Sequence, residues 1–497
     1  MQNQHPTVLL RVLDLVQSLA LYGLPVSTAL FALSGATEGY RVPKDAVAQG
    51  AIAIFVAAWT LKHLWAEDLI DAFRALREVP VLLPLTCFVV WMFVTTLVSR
   101  HARFSFRVDL NVVLFLALYA LSFHEWNPAR VRRWIALVAL AATLNGILMV
   151  LQRAKVPLGG YLSYYIHPYP RLRMIGLIGN VNDVGNYLIL VLLLTCAAAL
   201  LSRERLLRVI YSIGLPFLSV LLAWTEAYTS IVALGVALLL SFAMLGRTHR
   251  KLAFRAGSLV LITLLLGAAA AWHVLKNPSV QQRWRETVSA ARAGHWNQAL
   301  HGRYFAWRMT ADMIGDRPLW GHGPGTFSYI FFDYQLRFKA AHPGVITQPE
   351  YFDQAHNDCL QIAAEMGVPA LLLVAWVVGS FLWKAGDALK RAERRTPALG
   401  RTASFGSTGT QTSGLLSDET ALPLLGIALL AAMIVTSLAG FPFRLAVTMS
   451  LFVPVASMSL SLAREKVCGK RNCPEALNGS QIAGAAAPTK HHSHSHF

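Results

Sequence analysis

Charge is what this sequence has least of. Only 14% of its 497 residues are Asp, Glu, Lys or Arg, against about a quarter in a soluble domain. With 55% apolar residues and a mean hydropathy of +0.48, the apolar side chains are too many for one buried core, which excludes a water-soluble globule. Acids are scarcer still: 26 Asp and Glu stand against 44 Lys and Arg, a net charge of +18. Such a surplus is also a nucleic-acid signature. Here the basic residues sit in short segments between apolar runs, the positive-inside pattern of a multi-pass membrane protein, so nucleic acid is not read as a partner. Cysteine is sparse, and Cys468 and Cys473 lie in a polar tail with no second ligand pair, which argues against a zinc site. The first apolar stretch runs straight into more membrane and is read as a span, not a cleaved leader.

What the chain does have is long apolar runs. Those near 13–34, 47–65, 81–98, 109–123, 134–152, 184–201, 209–224, 228–245, 256–275, 368–383, 422–440 and 445–462 are long enough to cross a bilayer. The fold class is therefore an all-α integral membrane protein of about twelve helices. Basic clusters such as Arg130, Arg132 and Arg133, or Arg247, Arg250 and Lys251, mark the cytoplasmic face and place both termini there. The loop with Arg100, Arg103 and Arg107 falls on the opposite face; either the fourth span is misplaced or these arginines meet an anion outside. The expected organisation is helices 1–9 over 1–275, a large outer loop over 276–367, helices 10–12 over 368–462 with a flexible loop at 396–420, and an unstructured tail at 463–497 ending His-His-Ser-His-Ser-His-Phe.

The outer loop is too polar to span a membrane and too long for a connector. Its periodicity predicts helices over Pro278–Arg292, Gln298–Ile314, Thr326–Ala340 and Ala355–Met366, a largely helical cap. Three features stand out in it: Arg303 and Trp307 on one helical face; the turn Gly321-His322-Gly323-Pro324-Gly325, whose glycines permit close backbone approach; and His356-Asn357-Asp358, where Asn or Asp caps a helix and leaves His356 near its electropositive start. Singly, each reads as a surface pair, a turn and a cap.

In this order, however, they resemble the O-antigen ligase and polymerase superfamily: an Arg ahead of a Trp, the turn Pro318–Phe327, and His356–Gly367 with Leu360, Gln361 and Glu365. An earlier outer segment with Arg173, Gly176, Gly179, Asn180, Asn182, Gly185 and Tyr187 matches as well. The resemblance implies a fold like the GT-C membrane glycosyltransferases, with the cap in the periplasm of a bacterial inner membrane. It implies transfer of a glycan from undecaprenyl pyrophosphate to a hydroxyl of lipid A-core, with inversion and without a metal or other cofactor. A polymerase or a protein O-oligosaccharyltransferase uses the same donor.

This chemistry suits the residues present. Arginine stays protonated and grips phosphate oxygens with a planar fork, so Arg303 and Arg173, with Arg171 beside them, are candidates for the pyrophosphate. A neutral histidine suits removal of the acceptor's proton; His356 is the candidate, with His322 the runner-up. Asn180, Asn182, Asn357 and Trp307 are candidates for positioning substrate. The loop shows no DxD or His-x-x-His spacing for a metal. A transporter is the rival class, but Asp14, Lys62, Asp109 and Glu226 fall near span ends, not at mid-membrane where transport sites lie.

Overall fold

The computed structural model describes residues 5–33, 40–158, 170–202, 204–248, 257, 268, 272, 275–343, 352–400 and 418–462. A chain solvated by lipid must satisfy its own backbone hydrogen bonds, and among the described residues the regular elements are helices. The bundle contains α1 (His5–Leu30), α2 (Arg41–Trp65), α3 (Leu69–Ala75), α4 (Leu82–Leu97), α5 (Ala102–Ser122), α6 (Pro128–Arg153), the short α7 (Pro170–Arg173), α8 (Val181–Leu201), α9 (Arg205–Thr225) and α10 (Tyr228–Thr248). The cap contains α11 (Pro278–Arg292), α12 (Trp296–Ala299), α13 (Arg303–Asp316), α14 (Phe327–Ala341) and α15 (Asp358–Met366), before α16 (Val368–Gly400), α17 (Asp418–Ser437) and α18 (Ala446–Ser461) return to the bundle.

Nine of these helices are long and apolar enough to cross a membrane: α1, α2, α5, α6, α8, α9, α10, α16 and α17. A tenth candidate is broken, because Leu69–Glu78 meets α4 at 97° through Val81 in the left-handed region at φ 64°. Each expected span has a helix in its place except 256–275, most of which lies outside the described residues, as do 401–417 and the tail from 463. Two boundaries move. The fourth span begins at Ala102, so Arg103 and Arg107 stand on its first turns. Helix α16 runs to Gly400, into the stretch expected to be unstructured.

The axis of the bundle is α8, 89% buried along its apolar stretch, whereas α16 is 17% and α1 22% buried and so are peripheral. Helices α6, α9, α10, α17 and α18 pack on it. At one end Arg130 reaches Asp14 at 2.9 Å and Glu125 at 2.6 Å, and Lys62 reaches Asp14 at 3.0 Å. Charges placed in a membrane helix are costly unless paired; these tie α1, α2 and α6 together.

The cap has its own core, in which Met309 and Met313 of α13 meet Phe327 and Phe331 of α14 and Ala364 of α15. Two of its expected helices are shorter at the start. Gly302 at φ 84° divides the Gln298–Ile314 stretch, so α13 opens on Arg303. Asn357 caps the last cap helix, its Oδ1 accepting the Leu360 amide at 3.0 Å, so α15 begins at Asp358 and His356 precedes it. Trp91 of α4 donates its indole N–H to the Met366 carbonyl at 2.9 Å, fixing the cap to the bundle.

Candidate active site

The Gly-Pro turn packs against the last turn of α15, where that helix gives way to α16. The His322 amide donates to the Ala364 carbonyl at 3.0 Å, the Gly323 amide to Glu365 at 2.7 Å, and the Val368 amide to Pro318 at 2.7 Å. No side chain fits here: a Cβ on Gly321 lies 2.3 Å from the Glu365 carbonyl carbon, and one on Gly323 lies 2.1 Å from Ser99 Oγ. Both glycines also have positive φ, 62° and 111°, which only glycine adopts without strain. The turn is a close-packed splice between cap and bundle. Its His322 is buried with Nε2 3.2 Å from the Met313 carbonyl. Burial holds its pKa below the ordinary histidine value.

His356 sits at φ 53°, a conformation uncommon for a residue with a side chain and kept only where the surroundings over-determine it. They do. Trp307 donates its indole N–H to the Ala355 carbonyl at 2.9 Å, Gln361 Oε1 accepts the Ala355 amide at 2.9 Å, and Asn357 Nδ2 reaches the Leu438 carbonyl at 3.1 Å. Trp307 and Asn357 thus position the histidine's own backbone. The imidazole Nδ1 lies 3.0 Å from the Gln354 carbonyl. A carbonyl only accepts, so Nδ1 carries the proton, and in the neutral ring Nε2 keeps a free lone pair. Burial first, then the positive charges of Arg303 and Arg41, hold the pKa of His356 below the ordinary 6.5. Both disfavour the imidazolium.

Two arginines therefore act on this imidazole. Arg303, the first residue of α13, is partly buried, and burial lowers its pKa. Among the described residues no carboxylate pairs with it. Arg41, which the sequence reading did not single out, opens α2. Its guanidinium lies 5.2 Å from the centroid of the Phe441 ring and 3.6 Å from Asp183. Phe441 in turn meets the His356 ring edge-on at 5.5 Å.

The other predicted arginines gather in a second group. Arg171 of α7 lies 3.8 Å from Glu226, and Arg283 of α11 pairs with the same carboxylate. Arg173 is buried, and its charge acts on Arg153, which packs over Trp224 at 4.5 Å. Asn180 caps α8, accepting the Asn182 amide at 2.8 Å, while Asn182 itself is exposed.

A third group joins two acids of the His356–Gly367 stretch to an arginine that the sequence reading did not single out. Arg444 reaches Glu365 at 2.9 Å and Asp358 at 3.5 Å. Glu365 also accepts the Gly325 amide and the Gln361 side-chain N–H, both at 3.0 Å. Burial pushes Asp358 up to about 7, against the pull of Arg444. The available sign was a lone arginine in the short turn between the last two spans. Among the described residues no three of His, Cys, Asp and Glu gather as a metal site requires.

Helices of membrane-crossing length, with a folded cap that brings a histidine under the charge of two arginines, define a multi-pass membrane protein. Residues 213–375 match the family model described as O-antigen ligase. This match supports membership of the O-antigen ligase/polymerase family, whose members are glycosyltransferase-like enzymes. The matched stretch contains Arg303, His322 and His356. No curated protein matches the chain.

Proposed function

We propose that the protein is an O-antigen ligase: it transfers a glycan from undecaprenyl pyrophosphate to a sugar hydroxyl of lipid A-core, with inversion, at the periplasmic face of the bacterial inner membrane. On this reading the cap, 276–367, faces the periplasm, both termini are cytoplasmic, and the bundle resembles GT-C enzymes. The carrying observation is the free Nε2 of His356, whose imidazolium is disfavoured by burial and by Arg303, a cation that no carboxylate pairs with among the described residues.

In the reaction Nε2 takes the proton of the acceptor hydroxyl as its oxygen attacks the anomeric carbon. The bond from that carbon to the pyrophosphate oxygen breaks, and the electron pair leaves with the lipid pyrophosphate. Arg303, with Arg41 beside it, stabilises the charge that develops there; preorganised cations do this without reorganising in the transition state. Arg171 and Arg173 bind the remainder of the pyrophosphate. The imidazolium then returns its proton to water.

Undecaprenyl-pyrophosphate glycan offered to the purified protein with lipid A-core, further donor or a pilin peptide, in EDTA, tests the reading. Glycosylated lipid A-core is the expected product. Elongated donor makes the protein a polymerase, glycosylated peptide makes it a protein O-oligosaccharyltransferase, and glycan flux across proteoliposomes without transfer makes it a transporter. Arg303→Ala is expected to impair use of the pyrophosphate donor and Arg303→Lys to restore it only partly, since lysine lacks the planar fork.

The pH profile is a second test. The base must be neutral, and its pKa is held below 6.5, so kcat/KM stays level as pH falls through 6.5 and drops only below it. Removing the neighbouring positive charge in Arg303→Met makes the imidazolium easier to form, so the acid limb moves to higher pH. A limb that stays in place refutes the electrostatic link between the two side chains.

A further inference from the structure

Arg100, Arg103 and Arg107 lie at the cap end of the bundle, between the end of α4 and the first turns of α5, and all three are exposed. Among the described residues none of them has a hydrogen bond or an ion pair. The acid of the same helix, Asp109, is buried and accepts the Thr96 hydroxyl at 2.6 Å, so it does not neutralise them. Arg103 and Arg107, four apart, share one face of α5, and Arg100 lies in the turn just before that helix.

The cap continues this face with apolar surface. On α14, Tyr329, Phe332 and Leu336 are 54%, 45% and 45% exposed, again three and four apart. The two strips are joined: Tyr329 stacks on His101 at 5.6 Å and meets Phe104 edge-on at 5.2 Å. Beside them Trp320, 45% exposed, stacks on Trp91 at 5.3 Å. Unpaired arginines along a span's first turns, flanked by exposed aromatics, have the composition that meets a lipid headgroup: guanidinium for phosphate, rings for the interface.

We propose that this face, outside the His356 site, is a docking surface for an anionic, phosphate-bearing membrane lipid. The three arginines take the phosphate, and the α14 strip with Trp320 lies against the glycerol and upper acyl region. The argument uses surface chemistry alone and holds whichever acceptor the enzyme uses.

Native mass spectrometry of the full-length protein, released without glycan donor from micelles doped with phosphatidylglycerol or with phosphatidylcholine of the same chains, tests it. The wild type is expected to retain phosphatidylglycerol in preference, less so as ionic strength rises. The triple variant Arg100→Gln, Arg103→Gln, Arg107→Gln should weaken retention about a hundredfold, roughly fivefold per arginine; the triple lysine variant should keep most of it. Should the triple glutamine variant fail to fold, Arg103→Gln alone carries the test, with an expected loss of about fivefold. Equal retention of both lipids, undiminished retention in the glutamine variants, or release of the lipid by inorganic phosphate well beyond that by chloride of equal ionic strength overturns the proposal, the last by showing a site for a soluble anion. None of these outcomes bears on transfer at His356.

Discussion

His356→Ala is expected to lower glycan transfer by about a hundred- to ten-thousand-fold, the usual contribution of a positioned general base, with donor binding retained. Donor affinity survives because the cations assigned to the pyrophosphate, Arg303, Arg171 and Arg173, stand on α13 and α7, and the structure pairs none of them with the imidazole by a hydrogen bond. The backbone at this position complicates a single substitution. His356 is at φ 53°, and alanine tolerates the left-handed region worse than histidine or asparagine. His356→Asn keeps the backbone preference and removes the base. Both variants inactive, with wild-type donor affinity, is the expected result. An active asparagine variant beside an inactive alanine one would show that position 356 matters for the bend alone, and the proposed general base would fall.

The same residue shows what could be read from the chain and what could not. Positions 303 and 356 were legible because each lies in a short pattern whose spacing survives in one dimension. The glycine turn and the cap at Asn357 were legible for the same reason: local steric rules connect neighbours. Arg41 was not, since a cation at the end of a span is indistinguishable from any interfacial arginine until Asp183, far along the chain, comes within 3.6 Å. The two histidines were ranked from sequence, His356 ahead of His322, but without their hydrogen bonds. Only the fold shows His322 engaged with the Met313 carbonyl in a closely packed splice, while His356 keeps Nε2 free. Trp307 and Asn357, read as positioning substrate, also hold the residues on either side of that histidine, which the sequence did not show. Helix boundaries moved where one residue imposes a local geometry, Gly302 before α13 and Asn357 before α15.

Arg444→Met carries the largest expected cost in stability. Arg444 bridges the turn before α18 to Glu365 and Asp358 of α15, and those two side chains are 1% and 4% exposed. Removing one partner of a buried ion pair costs about 3–5 kcal/mol, because the charge left behind is neither solvated nor paired. Here two carboxylates are left, one of which also holds the Gly325 amide of the glycine splice, so the cap and the His356 bend loosen together. The pH dependence separates this cause from lost packing. Asp358 titrates near 7 in the fold, above the ordinary 3.8, so the fold favours its protonated form. Its contribution is therefore full at low pH and is lost as pH rises through about 7. Without Arg444 to pull the value down it rises further, and Arg444→Met should be most destabilised above neutrality and partly rescued near pH 5, measured as Tm in micelles against wild type. Adding Asp358→Asn and Glu365→Gln to Arg444→Met should recover much of the loss at neutral pH, since no buried charge then remains. A loss that is flat with pH and unmoved by the amides would mean that the arginine acts through packing, and the buried ion pair would lose its role in seating the histidine.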